Sequence, residues 1–371
     1  MSCAEKIAGE IAARGPVPFS RFMEIALYDP ECGYYAAECP RIGRSGDYLT
    51  SVSAGAAFGH IIALQLVEMW ELLGRPARFT LVEQGANDGS LAADILSAPL
   101  PESFAQALDL RIVEPLPTLR SRQSTRLARW RNRVTWFSSM EEMPQFVGAH
   151  LSNELVDALP FEILRHDDSS WRMQQVVVEN GCFAFRDGPA CPEAGYPARA
   201  PGTLAEYRPA ANAWIQTVVE RLDRGFLLLL DYGMPRSVLL EESRSQGTHV
   251  ALCHHRQNEN LLENPGDQDL TAHVDFTALA VAGRAAGLQG VGFTDQHHFL
   301  VGAATPLLRD MESAHPPTAS ATQFLRAFKM LMHPEALGTR FQAFCMAAGF
   351  RSPLRLSGFV SGARGFGEVF P

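Results

Sequence analysis

The stretch FTLVEQGANDGSL, residues 79–91, reads as a short apolar strand, a glycine-containing turn and the start of a helix. Glycines at such a turn let the backbone approach a ligand closely, and the first turn of a helix offers unpaired N–H groups to polar or anionic atoms. The glycine spacing of a pyrophosphate-binding loop is absent, so a dinucleotide fits less well, and an ordinary strand-to-helix turn is the plain alternative. Working outward, further apolar runs follow in LDLRIVEP (108–115), VTWF (134–137), GAHLSNEL (148–155) and FLLLLDYG (226–233), with another near Gly290 to Phe293. Helical patterns separate them. Strands alternating with helices predict an α/β fold, a doubly wound parallel sheet covered on both faces.

Before this sheet, residues 1–75 carry helical periodicity broken by Pro and Gly and are expected to form an N-terminal helical cap. Residues 76–371 then form the α/β domain. Within it, 161–205 alternates like an antiparallel β meander inserted between the fourth and fifth strands, and 320–350 is expected to supply C-terminal helices.

The 371 residues are 46% hydrophobic and 20% charged, as in ordinary globular proteins. A net charge of −9 argues against a nucleic-acid backbone as partner, because phosphate binding needs clustered Lys and Arg. The arginine-rich segment Leu119 to Arg133 reads as a solvated helix face. Seven cysteines, scattered and without a zinc-like spacing, suggest a reducing compartment and no metal site. Without a signal-like N-terminus or an apolar run long enough to cross a bilayer, cytoplasmic residence without a membrane partner is expected.

Ligands of open α/β sheets sit beyond the carboxyl ends of the strands, which directs attention to the polar residues there. Glu114 ends the second run and is placed to accept the hydroxyls of a ribose; a surface glutamate before Pro115 is the bland alternative. Glu154 and Asp157 follow the fourth run. If their segment is helical, both carboxylates share a face that could grip a guanidinium or amine; equally, Asn153 caps a helix and the acids complement its dipole. His273 is a candidate base or orienting donor, or else a satisfied structural residue beside a cap at Thr271 or Asp275.

Taken in order, PFSRFMEIALYDPECGYY (18–35), GDYLTS (46–51), Phe58-Gly59, the loop from Glu83 to Leu91, IVEP (112–115), SNELVDALP (152–160), LLLLDYG (227–233) and LTAHVDF (270–276) resemble the MidA-like family. That family includes a mitochondrial protein-arginine methyltransferase. The resemblance implies a class I, Rossmann-like methyltransferase domain and S-adenosylmethionine as cofactor. It also implies N-methylation of arginine in a protein partner. The cofactor residues it implies, together with the strand-end reading, are Thr50, Ser51, Glu83, Gly85, Asn87, Gly89, Glu114 and Asn153, with Glu154, Asp157 and His273 as the catalytic set. The family loop reads close to E-L-G-P-G-x-G-x-L, whereas Ala86 and Asn87 stand here in place of the Pro and the middle Gly. Two other functions stay open: an assembly scaffold with little chemistry, and a small-molecule methyltransferase. Homodimerisation is left open too.

Overall fold

The computed structural model describes residues 1–37, 51–253, 256–313, 318–333, 338–360 and 366–370. The chain forms two compact units. One comprises Met1–Tyr48, Val156–Trp214 and Met234–Asp275; the other comprises Leu49–Leu155, Ile215–Gly233 and Phe276–Pro371.

The second unit is built on strands β1 (Phe79–Gln84), β2 (Leu108–Val113), β3 (Val134–Phe137), β4 (Phe146–Asn153), β5 (Leu222–Met234), β6 (Gln289–Asp295) and β7 (Phe341–Ala348). They lie in the order β3-β2-β1-β4-β5-β7-β6. Pairing is parallel from β3 through β5, and β7 runs antiparallel to both β5 and β6. The order reverses between β1 and β4, so the crevice that such a sheet offers to ligands opens beyond the carboxyl ends of those two strands.

Leu227 to Leu230 carry no polar side chain because both faces of β5 are covered and all four are fully buried. Phe226, Leu228 and Leu230 share one core with helix α1 (Ala57–Leu72), helix α2 (Ser90–Ser97) and Ala343, Cys345 and Ala347 of β7. On the other face of β7, the Phe344 ring packs at a tilt against Phe276, centroids 5.6 Å apart; Phe276 opens the helix Phe276–Ala285.

Two expectations are corrected. Residues 320–350 are not helical throughout: a helix at Ala319–Leu331 is followed by β7. FQAFCMAA is buried on both faces, so it lacks the alternation of a half-buried strand, and its Ala, Met and Gln favour helix; its register against β5 and β6 decides otherwise. Nor does a boundary fall at residue 75, since α1 belongs to the unit of the central sheet. Its Phe58, Ile61, Ile62 and Leu66 are fully buried, and a side chain on Gly59 would collide with Asp94 of α2.

In the first unit, helices Cys3–Arg14 and Phe19–Tyr28 accompany antiparallel strands Glu162–His166, Trp171–Glu179, Cys182–Ala190 and Leu204–Tyr207. Phe19, Phe22, Phe161, Ile163 and Val176 form its core. A smaller antiparallel sheet comprises Val250–Cys253, Arg256–Asn258 and Asp269–Thr271. Cys3 and Cys32 are joined as a disulfide, their Cα atoms 5.5 Å apart, which departs from the reducing compartment expected from the scattered cysteines. The turn after the second helix carries Cys32 back to the start of the first, a proximity that a separation of 29 residues does not reveal.

Candidate active site

The loop after β1 is shaped by three left-handed residues, Gly85 (φ 78°), Asn87 (φ 47°) and Gly89 (φ 82°). Asparagine is among the few non-glycine residues that adopt this conformation readily, so the replacement of the family glycine leaves the turn intact. The Gly89 N–H donates to the Ala86 carbonyl at 2.8 Å, and the Ser90 N–H donates to Asp88 Oδ1 at 3.0 Å before α2 begins. A Cβ on Gly85 would lie 3.1 Å from Leu155 Cδ1, so the loops after β1 and β4 approach one another where the absence of a side chain leaves a cradle.

Glu83, next to the last residue of β1, is almost wholly buried, and its Oε2 has no hydrogen-bond partner among the described residues. Burial, reinforced by Asp88 and Asp94, pushes its carboxyl up to about 8. A buried carboxyl with an unused oxygen suits a cationic amine, which would restore its charge. Asn153 Oδ1, at the end of β4, also lacks a partner among the described residues.

Glu114 sits beyond β2, buried rather than on the surface. Its Oε1 accepts the Leu116 N–H at 2.9 Å, and its Oε2 accepts from Gln123 Nε2 at 3.0 Å. Burial pushes its carboxyl up to about 7, opposed by those two donors and by Arg120. With both oxygens oriented and lone pairs remaining, it can accept two vicinal hydroxyls. The glycine cradle, the unused oxygens of Glu83 and Asn153, and the Glu114 carboxylate fit the backbone, amine and ribose needs of S-adenosylmethionine.

Beyond β4, SNELVDALP is a strand end and turns rather than a helix, so the shared helical face expected for Glu154 and Asp157 does not form and Asn153 caps nothing. Glu154 instead adopts φ 52°, held by its N–H to the Leu230 carbonyl at 2.9 Å, and its Oε1 accepts from Asn153 Nδ2 at 3.0 Å. A glutamate in this conformation is uncommon and costs free energy unless its neighbours enforce it. Asp231, within the last part of β5, is one such neighbour: it accepts the N–H groups of Leu155 (3.2 Å) and Tyr232 (2.8 Å).

Asp157 belongs to the other unit, where its Oδ2 accepts from Thr271 Oγ1 at 2.7 Å and its carbonyl accepts the Ala272 N–H at 3.3 Å. His273 is in that unit also; its N–H donates to Thr248 Oγ1 at 3.0 Å, and burial lowers its imidazole below the ordinary range. Ser51 is fully buried, and its hydroxyl donates to Gln296 Oε1 at 2.7 Å. Thr50 lies outside the described residues. Gln123 and Asp231 escaped the sequence reading, Gln123 because nothing marks one buried amide within a polar helix, and Asp231 although its place after an all-apolar strand signalled it.

Residues 61–294, well over half of the chain, match the family described as S-adenosyl-L-methionine-dependent methyltransferase. Protein arginine methyltransferase NDUFAF7, mitochondrial, of Homo sapiens is 27% identical over 91% of this chain and 81% of its own length. The Drosophila melanogaster homologue is 27% identical over 94% and 85%. A crystal structure of a Burkholderia thailandensis protein bound to S-adenosyl-homocysteine is similar with a TM-score of 0.86 at 29% identity, covering 98% of this chain and 96% of that one. The relatives are mitochondrial by name, which overturns the expectation of cytoplasmic residence; that expectation rested on lacking a signal-like N-terminus, an uninformative absence. Strand order and family match agree, and the chain belongs to this family of enzymes, which transfer methyl groups from S-adenosylmethionine.

Proposed function

We propose that this methyltransferase acts on a nitrogen of an arginine side chain presented by a protein partner. The observation that carries the reading is the similarity, over nine-tenths of the chain, to relatives named protein arginine methyltransferases. The net charge of −9 accords with a cationic acceptor.

When bound, S-adenosylmethionine supplies an electrophilic methyl group on a sulfonium. In this reading the turn through Gly85, Asn87 and Gly89 receives it, Glu83 accepts its ammonium, and Glu114 accepts its ribose hydroxyls. Glu154 does the work on the acceptor. Its carboxylate takes N–H bonds from the guanidinium, turns one nitrogen toward the methyl group and receives that nitrogen's proton at an Oε atom. Asn153 and the backbone bond to Leu230 hold the carboxylate in place, so little reorganisation accompanies transfer. Asp157 Oδ2 is engaged by Thr271 and the His273 backbone N–H by Thr248 within their own unit, and neither side chain is given a step here.

The test is incubation with methyl-labelled S-adenosylmethionine and arginine-rich or lysine-rich protein substrates, followed by complete hydrolysis and amino-acid analysis. Label in methylated arginine is expected. Label confined to lysine or to small molecules would refute the reading.

A further inference from the structure

We propose that Gln123 is a positioning residue that ties the loop after β1 to the Glu114 carboxylate, so that two separate parts of the cofactor site keep one geometry. The inference rests on placing the cofactor at this loop.

Gln123 lies on the helix Pro117–Arg126, named α3 here, and is fully buried. Its Nε2 donates to the Asn87 carbonyl at 2.9 Å and to Glu114 Oε2 at 3.0 Å, while its Oε1 accepts from Trp136 Nε1 at 3.0 Å. The three bonds define the amide's orientation. An indole N–H can only donate, so the amide oxygen must face Trp136, and both amide hydrogens are then left for two acceptors. A buried amide with both hydrogens and its oxygen bonded is a rigid fixture, whereas a half-satisfied one would cost free energy.

Its two acceptors are the points that the cofactor reading needs most. Asn87 is the left-handed residue standing where the family has glycine, and the bond to its carbonyl fixes that peptide's direction. Glu114 is the ribose acid. The helix of Gln123 packs directly on this loop: a Cβ on Gly89 would meet Gln123 Cα at 3.4 Å, an ordinary contact, so the glycine is needed for its φ of 82° rather than for space.

A donor aimed at a carboxylate favours its charged form, so Gln123 also opposes the burial that raises Glu114. The charged group acting on Glu114 is Arg120, whose Nη2 donates to the Glu114 carbonyl at 3.1 Å. From the loop, Asp88 is paired with Arg126 at 2.6 Å; from β3, Trp136 adds no charge.

The experiment is calorimetric titration of the full chain with S-adenosylhomocysteine across the neutral pH range, for wild type, G85V, Q123L, Q123E and W136F. Q123L is expected to lose affinity by roughly tenfold to a hundredfold, the range typical when the partner orienting a ligating group is removed. Its affinity should also rise with pH through a midpoint above that of wild type, and E114Q should remove that displacement. Q123E, which faces one carboxylate with another, should bind more weakly than Q123L. W136F keeps a ring but frees the amide to turn, and about a fivefold loss is expected for one neutral hydrogen bond.

If Q123L does not fold, W136F carries the test by the same two readouts. Affinity within about twofold of wild type, or a loss with no displaced pH midpoint, overturns the proposal, twofold being far below the loss of one hydrogen bond. G85V separates this failure from that of the underlying reading: if G85V binds as wild type does, the cofactor is not at this loop. If G85V fails to bind while Q123L and W136F bind normally, only the role of Gln123 is lost.

Discussion

Replacing Gly85 by alanine adds one carbon where the loops after β1 and β4 approach one another, and the structure supplies the size of the effect. At φ 78° an L side chain costs roughly 1–2 kcal/mol relative to glycine. The new Cβ would stand 3.1 Å from Leu155 Cδ1 and 3.3 Å from Leu155 Cβ, tighter than ordinary van der Waals contact. Overpacking of that kind adds about 1 kcal/mol at its lower end, since part of the clash is with a side-chain tip that can yield. G85A should therefore lower stability by about 2–3 kcal/mol. A double-mutant cycle with L155A separates the contributions: the coupling should reach about 0.5–1 kcal/mol, the part of the contact made by Leu155 Cδ1 and Cγ, while the Cβ contact and the backbone part survive in both backgrounds. Urea unfolding followed by circular dichroism measures all four corners, with the slope checked for constancy. Stability of G85A within about 0.5 kcal/mol of wild type would refute the strain, and vanishing coupling would refute the contact between the two loops.

Asn87→Gly should leave stability within about 0.5 kcal/mol, whereas Asn87→Val should cost about 1–2 kcal/mol because a β-branched residue resists φ 47°; urea midpoints decide between them. The pH dependence of the ligand-free protein follows from Glu83, raised to about 8, and Glu114, raised to about 7. The folded chain keeps protons that the unfolded chain releases, so stability should fall as pH rises from the ordinary carboxylate range toward 8. E83Q and E114Q should each flatten that slope in thermal melts; an unchanged slope would show that these acids are not the cause. E154Q should slow methyl transfer by about a hundredfold or more, the scale of a lost acid–base group, while leaving S-adenosylhomocysteine affinity near normal. Parallel losses of both would make Glu154 part of the cofactor site instead.

The central strands were legible because each couples an apolar run to a turn or helix start: FTLVEQ, LDLRIV and FLLLL are strands of the central sheet. β7 was not, since a strand covered on both faces has no period of two and its alanines point toward helix. The glycine turn and Glu114 could be found by looking beyond strand ends. The helical face expected to carry Glu154 is absent: the residue is held by a positive φ and a bond to β5, and no spacing rule signals that. Gln123 was invisible because its three partners lie on a loop, a strand end and a neighbouring strand, a convergence made only by the fold.

The most direct test of the cofactor site is the crystal structure of the protein with S-adenosylhomocysteine bound. The ligand is expected beyond the carboxyl ends of β1 and β4, its ribose hydroxyls on Glu114 and its amine toward Glu83. A ribose bound away from Glu114, or a ligand that leaves the Gly85 to Gly89 turn untouched, would contradict this placement.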